Sequence, residues 1–312
     1  MNSSDQPRPA LGISATERET GLPKDTLRVW ERRYGFPKPD RDAYGERLYP
    51  AAQVDRLRLL KRLMDQGHRP GRLMAASEEE LQALSAAANA PARQPAADDP
   101  LSQQLLALVK GHDVPQLRSA LNQAMLRQGL QDFVIHTLSA LNRTVGDAWM
   151  SGEFEIFEEH LYTEQVQALL RQAIATLPAQ QAGSPRILLT TVPEEQHGLG
   201  LLMAEALMAL DGATCISLGT QTPLFDIAMA ARAQQADVVA LSFSSAYASR
   251  QVAPQLAQLR ALLPAGVELW AGGAGVERLQ PQAGVRLLAS LQHAQEALGA
   301  WRASQAGKSP SA

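Results

Sequence analysis

The stretch Val192-Pro193-Glu194-Glu195-Gln196-His197-Gly198-Leu199-Gly200 concentrates more chemistry than any other in this chain of 312 residues. It follows an apolar run of strand length, Arg186–Thr191. A polar loop at the carboxyl end of a strand is where open α/β sheets bind ligands. A lone histidine in such a loop most simply makes a structural hydrogen bond, so its neighbours must decide whether it does more. A dinucleotide site would need G-x-G-x-x-G. Here Gly198 and Gly200 are followed by Met203 where the third glycine should stand, which argues against nicotinamide. The one cysteine, Cys215, excludes an intramolecular disulfide and a multi-cysteine zinc site. It falls in an apolar run and reads as a small core residue.

The elements around that loop are legible from periodicity. Short apolar runs at Ile187–Leu189, Thr214–Leu218, Val238–Leu241, Val267–Ala271 and Val285–Leu288 alternate with helical stretches. That alternation predicts βα units in an open parallel sheet covered on both faces. From Leu101 to Leu177 the apolar spacing is helical, with breaks near Gly111, Pro115, Gly129 and Gly152, which predicts four helices. Residues 85–100 are rich in alanine and proline and read as linker. The chain divides into a winged helix-turn-helix head over 11–76, a linker over 77–100, a four-helix bundle over 101–180 and a Rossmann-like (flavodoxin-like) domain over 184–303.

Composition narrows the class. At 45% hydrophobic and 20% charged the chain is that of a folded protein. No window approaches the roughly 18 apolar residues of a membrane span, and the first residues lack a secretory pattern. The expectation is a cytoplasmic protein with no membrane partner. Residues 1–75 hold 15 basic and 10 acidic side chains, against 14 and 22 in the rest. A basic head on an acidic body suggests that the head alone meets a polyanion.

Within that head, Leu11–Gly21 reads as a short helix, Leu22-Pro23 as a turn, and Asp25–Tyr34 as a basic helix sized for a major groove. Arg41–Tyr49 then forms a wing. The order ISATERETGLPKDTLRVWERRYGFPKPDRDAYGERLYPAAQVDRLRLLKRLMDQG resembles the DNA-binding domain of MerR-family transcription regulators. The resemblance implies dimeric binding to a double-stranded operator. It turns Lys24, Thr26, Arg28, Arg32 and Arg33 towards DNA and sets Arg47 and Tyr49 near the wing, with Leu27 and Trp30 in the core.

The histidine loop begins a longer pattern. Glu195-x-His197-x-x-Gly200 is followed after 41 residues by Ser242-Phe243-Ser244, and after 27 more by Gly272-Gly273. Both gaps match the D-x-H-x-x-G…S-x-L…G-G signature that the pattern resembles, that of cobalamin-binding modules. By that resemblance His197 would ligate cobalt from below, and Glu195 would fix its tautomer, as carboxylates do for other metal-bound histidines. Ser242 would line the channel for the displaced nucleotide tail, and Gly272 and Gly273 would let backbone approach it. Glu195 stands for aspartate, and Ser244 stands for leucine, a change expected to rewire the tail pocket.

In the helical block, Trp149, nine residues, then Glu159-His160 resembles the W-x9-E-H signature of the CarH/LitR group of cobalamin-dependent photoreceptor regulators. The order of domains agrees from residue 12 to 300. The resemblance implies that Trp149 packs on an upper adenosyl group, that Glu159 bonds its ribose and that His160 sits nearby. In the light sensors a histidine follows that tryptophan; here Met150 does. A thioether is a poor partner for cobalt(III), which prefers nitrogen beside imidazole. The expectation is a non-enzymatic, light-responsive repressor that holds adenosylcobalamin and acts as a homo-oligomer, dimer or tetramer. The alternative is a regulator of the same build that senses cobalamin itself, or nothing bound, without photochemistry.

Overall fold

A computed structural model describes residues 9–65, 68–88, 100–151, 153–178 and 184–306, which fall in two compact units, a head within residues 1–93 and a body within 94–312. The head opens with strand β1 (Leu11–Gly12), then helix α1 (Ile13–Thr20) and helix α2 (Lys24–Tyr34). Gly21 ends α1 in the left-handed region (φ 66°), donating its N–H to Glu17 O, which lets the chain reverse within three residues. Strands β2 (Asp40–Arg41) and β3 (Arg47–Tyr49) form the wing, and helices α3 (Ala51–Asp65), α4 (Pro70–Ala75) and α5 (Glu78–Ala88) follow. The sheet order is β1-β3-β2, all antiparallel.

Two sequence readings change here. The helix read from Leu11 starts at Ile13, because Leu11 and Gly12 pair with Tyr49 and Leu48 instead. The linker read over 77–100 begins with a helix of the head. Leu81 of α5 is fully buried with Leu57, Leu60, Leu63 and Leu73. Residues 89–99 lie outside the described residues.

The body begins with helix α6 (Pro100–Lys110) and helix α7 (Val114–Gln128), whose start is capped by Asp113 accepting from Gln116 N at 3.1 Å. The third helix of the bundle starts as α8 (Leu130–Asp132), runs through a π-helical stretch (Phe133–Leu138) and continues as α9 (Ser139–Ser151). The fourth is α10 (Ile156–Thr176).

A five-stranded parallel sheet follows: β4 (Arg186–Thr190), β5 (Thr214–Ser217), β6 (Val238–Ser242), β7 (Glu268–Gly272) and β8 (Val285–Leu288), in the order β5-β4-β6-β7-β8. Between them run α11 (Leu199–Leu210), α12 (Leu224–Ala233), α13 (Ser249–Leu262) and, last, α14 (Leu291–Ala306). The inner strands β4, β6 and β7 are largely apolar on both sides because both sides are covered. Ile187 and Leu189 pack towards α11 and α14, while Leu188 packs towards α12 and α13. Cys215 is in the first of these layers, where burial pushes its thiol up to about 12 and leaves it unreactive.

The bundle is seated on α11. Leu202, Met203, Ala206 and Leu207 share one apolar core with Leu121, Leu138, Leu141 and Val166 of the bundle. Inside this seam Tyr162 donates to Asn142 Oδ1, and Asn142 Nδ2 lies 3.1 Å from Met203 Sδ.

Candidate functional site

The loop between β4 and α11 is stitched down before it presents its histidine. Thr190 and Thr191, both buried, end β4. Thr191 Oγ1 donates to Glu195 O (2.6 Å) and accepts from Gln221 N (2.8 Å). Thr190 Oγ1 lies 2.7 Å from Thr222 Oγ1. The segment 218–222 therefore buttresses the histidine loop. Long-range threonine bonds of this kind leave no periodic signal in the sequence.

Glu195 is the hub. It is 1% exposed. Its Oε1 accepts from His197 N (2.9 Å) and His197 Nδ1 (2.7 Å), and its Oε2 accepts from Ser244 N (2.7 Å) and Ser244 Oγ (2.8 Å). Burial alone would push this carboxyl up. The hydrogen bonds from the His197 ring, His197 N–H and Ser244 N–H outweigh it and hold the group below the ordinary carboxylate range. An ionised Glu195 keeps the proton on Nδ1, so Nε2 carries the lone pair a metal would take. The imidazole itself is 62% exposed at the carboxyl edge of the sheet.

Ser244, expected to rewire a tail pocket, is tied to the histidine loop in this structure. Its hydroxyl reaches Glu195 and stands 3.1 Å from His197 Nδ1, so it braces the carboxylate that aims the ring. Of the two paired glycines, one has a packing role of its own. A Cβ on Gly273 (φ +94°) would lie 2.3 Å from Phe243 O, and one on Gly275 would lie 2.7 Å from Ser244 O. Gly273 is thus demanded by the chain's own packing. Gly272 is not, because a Cβ there meets Leu288 O at an ordinary 3.5 Å. Ser242 lies beside Gly272 in the ladder, and a Cβ on Gly200 would crowd Ser242 Oγ at 3.3 Å. The first turn of α11 thus approaches the end of β6 closely, and a side chain at Gly200 would require the Ser242 hydroxyl to shift.

These residues fit a corrin. Among the described residues no group of three or more His, Cys, Asp or Glu side chains assembles to hold a bare metal. A single exposed, oriented imidazole suits a metal that brings its other nitrogen donors with it.

At the bundle, Trp149 lies near the end of α9 and is 39% exposed, and Glu159 and His160 lie near the start of α10. Glu159 Oε2 lies 2.6 Å from His160 Nδ1, and its Oε1 accepts from Thr163 Oγ1 at 2.7 Å. The side chain of Met150 lies outside the described residues. Glu158, which sequence reading passed over, is buried and fixes this corner. It accepts from Glu155 N (2.8 Å), meets Lys110 Nζ (3.1 Å) and His112 Nε2 (2.9 Å), and completes a capping box on α10. Burial pushes it up, but those bonds prevail and hold it below the usual range.

Glu158→Gln is therefore expected to cost about 1–2 kcal/mol, a cap plus charge-assisted bonds. Lys110 and His112 are half exposed, so no buried charge is stranded. Because the folded pKa is depressed, the stabilisation is complete above the unfolded value of about 4.3 and is lost as pH falls through the folded one. Thermal melts should show a wild-type advantage at about pH 6 that closes below about pH 4. An advantage that persists in strong acid would assign it to something other than the ionised carboxylate.

In the head, Leu27 and Trp30 are buried while Arg28, Val29, Arg32 and Arg33 face outward. Arg28 Nη1 holds Asp25 at 3.0 Å, and Lys24 Nζ lies 3.6 Å from Glu17. Thr26 is half-buried on the same helix. Tyr49 is a correction: at 0% exposed it is a core residue of the head and offers no ring to DNA. Arg47 is turned away as well, with Nε 2.8 Å from Glu31 Oε2, so it ties the wing to α2. The tip of the wing instead presents Tyr44, 92% exposed, a residue with no signal in the sequence beyond its place in a turn.

A helix-turn-helix head with a wing, joined in one chain to a bundle and a parallel sheet that aims a histidine from its carboxyl edge, defines a ligand-responsive transcription regulator. Residues 11–75 match the MerR HTH family regulatory protein model, and residues 101–174 match the B12 binding domain model. The chain is 30% identical over 272 residues to the HTH-type transcriptional repressor CarH of Myxococcus xanthus, covering 86% of this chain and 90% of CarH. It is 30% identical over 267 residues to the repressor CarA of the same organism, covering 85% and 87%. The monomethylamine corrinoid protein of Methanosarcina barkeri shares the fold, with a TM-score of 0.50 at 15% identity over 63% of this chain and 96% of that one. The chain belongs to the family of MerR-type, B12-binding transcription regulators that includes CarH and CarA. Among the described residues no helix is long and apolar enough to cross a membrane.

Proposed function

We propose that this protein is a light-responsive repressor that holds adenosylcobalamin in its body and uses it to set the assembly of its DNA-binding heads. The observation that carries the reading is the His197–Glu195–Ser244 arrangement, which orients one exposed imidazole and fixes its tautomer. His197 Nε2 would hold the cobalt from below. Ser242, Gly200 and Gly272 would take the nucleotide tail where α11 meets the end of β6. Trp149, Glu159 and His160 would close over the upper face. Bound with an upper adenosyl group, cobalamin supplies a cobalt–carbon bond that light can break. The chain's own part is to seat the bundle differently according to what stands beside Trp149, and so to favour or disfavour a dimer or tetramer. Several heads on one operator gain avidity that a single head lacks.

The DNA contacts proposed are Lys24, Thr26, Arg28, Arg32 and Arg33 on α2. Arg33→Ala should weaken binding alike for all operator sequences and reduce the slope of log affinity against log salt by about 1. An unchanged slope in a salt titration would remove Arg33 from the phosphate contacts.

Met150, standing directly after Trp149 where the light sensors have histidine, favours a second reading in which cobalamin is sensed without photochemistry. One experiment separates the two. Protein loaded with adenosylcobalamin in the dark is followed by absorption and size exclusion before and after green light. A retained corrin band with changes in both spectrum and elution supports the light-responsive repressor. A retained band with constant elution supports the second reading. No retained corrin rejects both.

A further inference from the structure

Val29 stands in the second turn of α2 and is 40% exposed. The other exposed residues of that helix, Asp25, Arg28, Arg32 and Arg33, are all charged. Asp25 lies one turn before Val29, and Arg32 and Arg33 lie one turn after it, so they share one outward face. Two of the surrounding arginines are held by their own helix. Arg28 Nη1 bonds Asp25 Oδ1 at 3.0 Å, and the Arg33 guanidinium lies over the Tyr34 ring, 5.2 Å from its centroid. An apolar side chain at the surface is ordinary by itself. The type and place of this one are not. A β-branched residue forms helix less readily than alanine, arginine or lysine. Val29 has no share in the core that Leu27 and Trp30 enter, so packing does not offset that cost.

We propose that Val29 is a specificity-determining residue that reads the C5 methyl group of a thymine in each operator half-site. The inference rests on the assignment of α2 to DNA above. In the major groove thymine alone of the four bases presents a methyl group, and an apolar side chain is what recognises it. A valine is short, so it makes this contact only where the helix lies closest to the base edges. The outward face of α2 is that place, since Leu27 and Trp30 pin the opposite face to the head. On a helix valine keeps one strongly preferred rotamer, so little freedom is lost on contact. Charged neighbours hold phosphates at any sequence, whereas a methyl contact distinguishes one base pair.

The test starts from a duplex site selected out of random sequence by the full-length protein, both apo and incubated with adenosylcobalamin in the dark. Each thymine of that site is then replaced in turn by deoxyuridine, which removes the C5 methyl and nothing else. In wild type, one symmetric pair of positions should lose affinity roughly fourfold per half-site, the worth of one methyl taken out of water. In Val29→Ala that loss should largely disappear. The variant should melt no lower than wild type, since alanine is the better helix former. It should also keep the wild-type slope of log affinity against log salt, because no charge is changed. If no thymine methyl matters in wild type, or if its removal costs the same in Val29→Ala, the Val29 assignment falls and α2 keeps its other contacts. If wild type selects no duplex in either state, the assignment of α2 to DNA falls with it.

Discussion

His197→Ala is expected to leave the apo fold intact and to lower corrin affinity at least about 100-fold, since loss of even an outer-sphere partner costs 10–100-fold at metal sites. The fold is spared because the imidazole is largely exposed, and Glu195 still accepts from Ser244 N and Oγ. Any corrin that does bind should show the spectrum of cobalamin carrying its own base. Equilibrium dialysis with absorption scans in the dark measures both. A variant retaining corrin with the wild-type band would show that the lower ligand lies elsewhere, and the reading of the β4–α11 loop would be lost.

Gly273→Ala should fail in the opposite manner, through the fold. Its Cβ would be forced to 2.3 Å from Phe243 O at a φ of +94°. Neither β7 nor the 243–244 backbone can yield without breaking the sheet. The cost should exceed about 4 kcal/mol, which in a unit of this size lowers Tm by about 10 °C or more. Gly272→Ala, one residue earlier, meets only ordinary contacts and should melt like wild type while binding corrin less tightly. The pair separates what the two glycines do. If Gly273→Ala melted within about 2 °C of wild type, the backbone of residues 243–244 would have to be far more compliant than its packing indicates.

The sheet was legible because its inner strands β4, β6 and β7 are buried on both faces and so are written as short, largely apolar runs. Val267–Ala271 in the sequence becomes Glu268–Gly272 in the structure, a shift of one residue at each end. The turn at Gly21-Leu22-Pro23 and the exposed arginines of α2 were legible for a similar reason, since local chemistry specifies them. What escaped depends on distant partners. Leu11 and Gly12 form a strand only because β3 returns to meet them. Tyr49 looks like a wing residue until the packing of Leu27 and Trp30 encloses it. The α5 helix was hidden by an alanine-rich run whose one decisive residue, Leu81, is apolar for a core supplied by α3 and α4. At the site itself, spacing identified His197 and Glu195. The brace from Ser244 crosses 49 positions of sequence and breaks the motif at that point, so no pattern could have announced it.

Helix α11 begins two residues after His197 and, from Leu202 three residues further on, lies in the core of the bundle. One helix therefore anchors the histidine loop and is also the surface on which the bundle rests. The two halves of the body meet at Met203, which lies in their shared core and 3.1 Å from Asn142 Nδ2. For anyone exchanging parts between related regulators, the transferable cassette is the whole of residues 100–306. A graft of the sheet domain by itself would carry the histidine but leave the bundle reading a foreign helix.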